Sequence, residues 1–301
     1  MALNLSRLRM LYELERLGTV GAVADVLHYT HSAVSQQLSQ LEKETGHALL
    51  EKAGRGVVLT DAGRTLAGYA ERILTLADEA ESALARTGPV VGTIKVASFQ
   101  TVLVALIPET VAVLAERYPD LHVEFIQREV LDGIESLLDH EVDVCIGEQF
   151  PGTRPIGGRG LVRRDFHTEP LLLVQPTEGE FSAPLPLPQM AGFPWIIDPK
   201  GSAAGQFTWS VCQSAGFEPR IFIESPDPLL ALQIVGQGRA IAILPSLIVG
   251  RFPERVAVRA LPGDPGRVLF TATRPGRENH PAIVAFCDAL AEVTKRLQAE
   301  T

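Results

Sequence analysis

Five side chains within ten residues, His31, Ser32, Ser35, Gln36 and Gln40, fall on one side of the chain if residues 30–45 are helical. Each carries a hydrogen-bond donor or acceptor. Hydroxyls and carboxamides at that spacing suit two tasks: pairing with base edges in a DNA groove, and holding phosphate oxygens. Thr30 stands where an N-cap belongs and adds a further hydroxyl to the same end. The opposite side, Ala33, Val34, Leu38 and Leu41, is apolar and turns inward. Taken alone, the pattern also describes an ordinary helix with a solvated face, so its surroundings decide.

Those surroundings are two preceding helices and a following hairpin. Apolar residues at Leu5, Leu8, Leu11 and Leu14 give helical spacing that stops at Gly18. Thr19 caps a short second helix of small residues, Ala22, Val23, Ala24, Val26 and Leu27, and His28-Tyr29 make a turn. Small residues let the next helix cross closely, as a helix-turn-helix requires. Beyond Gly46, two short apolar strands flank Ala53-Gly54-Arg55-Gly56. This is a wing, with Lys52 and Arg55 placed for phosphate or minor-groove contact.

Charge adds little. The chain carries −9 overall, yet residues 1–66 hold seven Lys/Arg and seven Asp/Glu and are neutral. Nucleic-acid binding therefore rests on pattern, on a few placed cations and on using two copies of the site.

Residues 3–65 resemble the winged helix-turn-helix of LysR-type transcriptional regulators. The resemblance is carried without a gap by Ala22, Ala24, Leu27-His28, Ser32-Ala-Val-Ser35, Leu41-Glu42, Gly46, Leu49-Leu50, Arg55-Gly56, Leu59-Thr60 and Ala62-Gly63. The family often has Arg where this chain has Gln36, more basic residues at Ser39 and Gln40, and Phe-Glu-Arg where it has Leu50-Glu51-Lys52. Positive charge is thinned, and operator sequence is not readable.

Thr60-Asp61 open a long helix reaching about Arg86, before Gly88-Pro89. Leu66, Ala70, Ile73, Ala77, Ala80 and Leu84 make a heptad stripe. It either packs on its own domain or pairs with a second chain. The resemblance implies antiparallel pairing, hence a homodimer on a double-stranded DNA operator, and a homotetramer built from dimers.

From Gly92 strands and helices alternate, which predicts a mostly parallel, doubly wound α/β sheet. Two crossings, near 161–168 and 262–268, predict a hinged pair of lobes. Gly92-Thr-Ile-Lys-Val, Tyr118-Pro119, Asp143-Val-Cys-Ile-Gly147 and Gly238-Arg-Ala-Ile-Ala-Ile-Leu-Pro245 resemble the two-lobed, periplasmic-binding-protein-like effector domain of the same family. The expected organisation is a winged helix-turn-helix over 1–60, a linker helix over 61–88 and an effector domain over 89–301. Lobe I takes about 89–162 and 267–301, and lobe II about 163–266.

Ligands of open α/β sheets sit beyond strand C-termini, often at helix N-termini. Two such ends are Ser98, Gln100 and Thr101 in one lobe and Lys200, Gly201 and Ser202 in the other. They predict a small-molecule effector bearing a carboxylate, unless Ser98 and Ser202 merely cap helices. Glu148, just past a strand, would meet an amine or guanidinium, and an amino acid would satisfy both features.

Catalysis finds no support: the His residues are scattered, and no nucleophile–base or metal-ligand spacing appears. No cofactor is implied. Cys145, Cys212 and Cys287 read as structural thiols. No apolar run reaches the roughly 18 residues of a membrane span, and the start lacks a signal-peptide core, so a cytoplasmic protein is expected. A solute-binding protein and an enzyme on the same two-lobed fold are the competing readings. The winged helix opposes the first. A titratable cluster in the cleft would favour the second.

Overall fold

Side-chain caps set the helices of the N-terminal unit. In the computed structural model, which describes residues 3–54, 56–158, 160–252 and 256–300, Asn4, Thr19, Thr30 and Thr60 each accept a backbone N–H. They do so at the starts of α1 (Leu5–Leu17), α2 (Val20–Leu27), α3 (His31–Thr45) and α4 (Asp61–Ala85). Strands β1 (Leu50–Ala53) and β2 (Gly56–Leu59) form an antiparallel hairpin between α3 and α4. The core joins Leu8, Leu11, Val23, Val34, Leu38 and Leu41 to Ala67 and Ala70 of α4. Glu42 fixes the wing, its Oε1 accepting the N–H groups of Leu49 at 2.9 Å and Leu50 at 3.0 Å. A Cβ at position 63 would lie 2.1 Å from the Leu49 carbonyl oxygen, so glycine is required where α4 passes the wing.

Helix α4 divides its apolar residues between two tasks. Leu66, Ala70 and Ile73 pack into the winged-helix core, which satisfies the first half of the heptad stripe within the chain. Tyr69, Leu76 and Leu84 stand exposed at 55%, 62% and 72%. Ser82, by contrast, is buried, because residues 275–281 fold into this unit with 1–89. Its hydroxyl donates to the Gly276 carbonyl at 2.8 Å, and Arg277 pairs with Glu81 at 3.5 Å.

The second unit, residues 90–274 and 282–301, holds both lobes. Its elements run β3 (Gly92–Ser98), α5 (Gln100–Ala105), α6 (Ile107–Arg117), β4 (Leu121–Gln127), α7 (Val130–Leu138), β5 (Val144–Gln149), β6 (Val162–Pro176), β7 (Pro194–Ile197), α8 (Ala203–Ser214), β8 (Arg220–Glu224), α9 (Pro228–Gly236), β9 (Ala242–Pro245), α10 (Ser246–Arg251), β10 (Val256–Ala260), β11 (Gly266–Thr273) and α11 (Pro281–Glu300). The strand order is β10-β6-β11-β5-β3-β4, with β9 also on β6, and β7 pairs β8 separately.

Two expectations are corrected here. The large sheet is mixed: β3 is parallel to β4 and β5, but β11 and β6 run antiparallel to their neighbours because they are the strands that return between lobes. Residues 162–170 of β6 pair with β11, so the hand-over to β9 and β10 comes at Pro170-Leu171, just past the crossing expected near 161–168 and well past the lobe limit of 162. Proline lacks the N–H that a ladder needs, which suits it to that break. Between β3 and β4 the helical stretch is interrupted at Leu106, with Pro108 in the first turn of α6.

Candidate nucleic-acid interface and interlobe cleft

Helix α3 presents the polar face that its sequence predicts. Val34, Leu38 and Leu41 are buried, whereas Thr30, His31, Ser32 and Gln36 are exposed and Ser35 and Gln40 half-buried. Some of these groups are already engaged. Thr30 Oγ1 accepts the Ala33 N–H at 3.2 Å and lies 3.1 Å from Ser32 Oγ, so it holds the helix start. Gln40 Nε2 donates to Glu44 at 3.2 Å, and Glu44 also takes Arg7 from α1 at 2.5 Å. Gln40 thus belongs to the brace between α1 and α3. Ser39, exposed next to Gln36, extends the open face. Lys52 is exposed on β1; Arg55 lies outside the described residues. His28 adopts a left-handed φ of 57° at the α2 C-cap and makes the expected turn.

The lobes of the second unit enclose a cleft in two connected parts. Its inner end is lined by Gln100, Thr101, Glu129, Glu148, Asp198 and Arg267. Its outer chamber, about 730 Å³, shares Glu129 and Glu148 and is walled by Leu131, Ile134, Ile156 and Leu161 opposite Gly201–Ala203. Gln149 shapes that wall: its Nε2 donates to Thr153 Oγ1 at 2.6 Å, and its Oε1 accepts the Ile156 N–H at 3.0 Å.

Of the residues expected here, Gln100, Thr101, Glu148, Gly201 and Ser202 line the cleft. Ser98 and Lys200 are not among its lining residues. Ser98 is buried, with its hydroxyl turned to the Phe99 carbonyl at 3.4 Å. Lys200 Nζ sits over the Trp209 ring at 4.1 Å, a cation–π contact. Ser202 is a cap, accepting the Gly205 N–H at 3.0 Å and donating to Pro199 O at 2.8 Å. The carboxylate anchor predicted from two helix starts therefore does not assemble as drawn.

What the cleft does contain is acid. Arg267 on β11 sits in register with Glu169 on β6 and diagonal to Glu148 on β5. Its Nε donates to Glu169 at 2.8 Å and its Nη1 to Glu148. Glu169 also accepts the Leu247 N–H at 2.8 Å. One guanidinium thus serves two carboxylates. Burial pushes the Glu148 carboxyl up, against the pull of Arg267. Burial, then Glu148 and Glu129, push Asp198 up to about 7. Glu129, exposed as a residue but partly desolvated where it lines the cleft, is raised by that desolvation and by Asp132. Sequence reasoning missed Asp198, Glu129 and Arg267. The signal for Asp198 was available, since it directly follows β7 while Glu148 lies one residue before the end of β5.

The three thiols are held protonated. Burial raises Cys145 and Cys212 to about 12 and Cys287 to about 11. Among the described residues no group of His, Cys, Asp and Glu could hold a metal ion, and no helix is long and apolar enough to cross a membrane.

A winged helix with an open polar face, on one chain with a two-lobed cleft domain, defines a ligand-responsive DNA-binding regulator. Residues 5–64 match the family model of the bacterial regulatory helix-turn-helix protein, lysR family, and residues 87–295 match the LysR substrate binding domain. The chain belongs to the LysR family of transcriptional regulators. It is 28% identical over 304 residues to the HTH-type transcriptional regulator YfeR of Shigella flexneri, covering 98% of this chain and 96% of that one. It is 24% identical over 300 residues to the probable HTH-type transcriptional regulator LrrA of Synechococcus elongatus, covering 99% of each. Among solved structures, a full-length OxyR variant of Pseudomonas aeruginosa matches with a TM-score of 0.65 at 19% identity, covering 96% of this chain and 95% of that one. Full-length CbnR in complex with its target DNA matches with a TM-score of 0.53 at 22% identity, covering 97% and 100%. Both share the fold.

Proposed function

We propose that this regulator reads its operator with His31, Ser32, Ser35 and Gln36 of α3, steadies itself on phosphate with Lys52 and Arg55 of the wing, and works as a homodimer in the cytoplasm. The exposed polar face of α3 carries this reading. Thr30 and Gln40 serve it by holding the helix. Domain limits of 1–60, 61–88 and 89–301 are kept, except that residues 275–281 fold with the N-terminal unit, and the interlobe cleft is taken as the effector site with no catalytic turnover. Selection from a random duplex pool tests the first part. The expected winners share two related half-sites, as two copies of a recognition helix require; a pool that stays unenriched sinks the reading.

Dimerisation is assigned to the exposed apolar residues of α4. Ile73 is unsuited to the test because it packs in the winged-helix core. Leu76→Glu with Leu84→Glu changes only exposed positions. Sedimentation is expected to show monomers with little DNA binding at concentrations where the unaltered protein is dimeric. A double variant that still dimerises would place the seam elsewhere.

A further inference from the structure

The chemical class of the effector follows from the charges around the cleft. The Arg267 charge is spent on Glu148 and Glu169, with its side chain only 3% exposed. Among the described residues the inner end offers an incoming anion no free cation. Arg154 reaches the outer chamber only as an exposed rim residue. Asp198 and Glu129 remain. Asp198, half-buried, accepts only from its own backbone N–H among the described residues. Among the described residues neither side chain makes an ion pair. Two carboxyls without counter-charge, beside an Arg–Glu–Glu cluster of net negative charge, would repel a carboxylate and attract a cation. The outer chamber adds a second constraint. Leu131, 70% exposed, and Ile156 give it an apolar wall facing the start of α8.

We propose that the effector is an organic cation, a primary amine or guanidinium on an apolar body, with its charged end among Glu129, Glu148 and Asp198 and its body along Leu131 and Ile156. This deepens the reading of the cleft as the effector site and rests on it. Burial of the charge between carboxylates supplies recognition, and the apolar wall supplies area. The raised Asp198 carboxyl, faced by Glu148, Glu129 and Arg267, would release its proton as the cation enters.

The test uses the full chain with pentylamine, pentylguanidine and pentanoate as probes, followed by calorimetry and by thermal shift. The two cations are expected to bind and pentanoate not. Amine affinity is expected to rise between about pH 6 and about pH 8. Asp198→Asn, nearly isosteric, should weaken the cations by roughly tenfold or more, as expected for loss of a charge-assisted contact. Glu129→Gln, at an exposed position, is a second variant that leaves folding unaffected and should weaken them in the same direction. Preference for pentanoate, strengthened by Asp198→Asn, would overturn the cation assignment while leaving the cleft as the site. Cation binding indifferent to both variants and to Leu131→Glu would overturn the cleft reading itself. Binding of none of the probes also counts against the cation.

Discussion

Arg267 and Glu169 face each other in register across β11 and β6, the guanidinium Nε donating to the carboxylate at 2.8 Å with side-chain exposures of 3% and 0%. The pair sits one residue from Pro170, where β6 passes from one lobe's sheet to the other's. Arg267→Met strands Glu169 and Glu148 without their counter-charge. Removing one partner of a buried pair costs about 3–5 kcal/mol. Urea titration is expected to show an unfolding free energy lower by that amount and a lower midpoint; an unchanged midpoint would show the site to be far better hydrated than its burial implies.

On DNA, Ser35→Ala with Gln36→Ala should narrow the gap between operator and random duplex by about 1–3 kcal/mol, the range for one bidentate base contact. Lys52→Ala should instead weaken all duplexes alike and reduce the salt slope by about one. Titrations at two salt concentrations separate the two outcomes. A salt slope altered by the α3 variant but not by the wing variant would exchange their roles.

The thiols should be silent. With Cys145 and Cys212 held at about 12 and Cys287 at about 11, negligible thiolate exists at neutral pH. Iodoacetamide applied to native protein at neutral pH is expected to leave all three unmodified, and to label all three in urea. Rapid native labelling of any one would mark it as reactive.

Stability should carry a pH signature from the cleft. The folded chain keeps the Asp198 proton between its ordinary value of 3.8 and about 7, a window in which the unfolded chain has lost it. Stability therefore falls as pH rises through that window and levels off above it. Glu148 and Glu129, also raised, slope the same way. Asp198→Asn removes one titrating group, so its unfolding free energy should fall less steeply. An identical slope in variant and unaltered protein would mean that Asp198 ionises freely.

Local signals made the winged helix legible. Caps at Thr19, Thr30 and Thr60, the stop at Gly46 and the period of the apolar residues all act within a few positions, so α1 to α4 fall where the sequence puts them. The cleft was harder because its character is non-local. Glu169 and Arg267 are 98 residues apart and meet only through strand register. Six of the seven residues chosen for the effector were read from helix starts and Glu148 from a strand end. Yet Ser98 and Lys200 are taken up by Phe99 and Trp209, partners that no spacing rule reveals. The α4 stripe misled for a related reason. Periodicity marks an apolar side but does not say whose surface covers it, and α1 takes the first half.

Residues 275–281 enter the N-terminal unit from between β11 and α11, so that unit is discontinuous in sequence. No single cut releases it whole. A fragment ending at residue 89 would leave behind the Gly276 carbonyl that Ser82 donates to, along with a backbone so close that a Cβ on Gly276 would lie 2.5 Å from the Thr75 oxygen. The far half of α4 would then present a buried hydroxyl to water and lose its cover. Chimeras that graft this winged helix onto a foreign sensor inherit the same problem. They need to carry the seven-residue strap with the helix, or rebuild its fit to Thr75, Ser82 and Glu81. Exchange of this chain's own sensor is constrained in the same way, because the parts that look interchangeable along the sequence are stitched together in space.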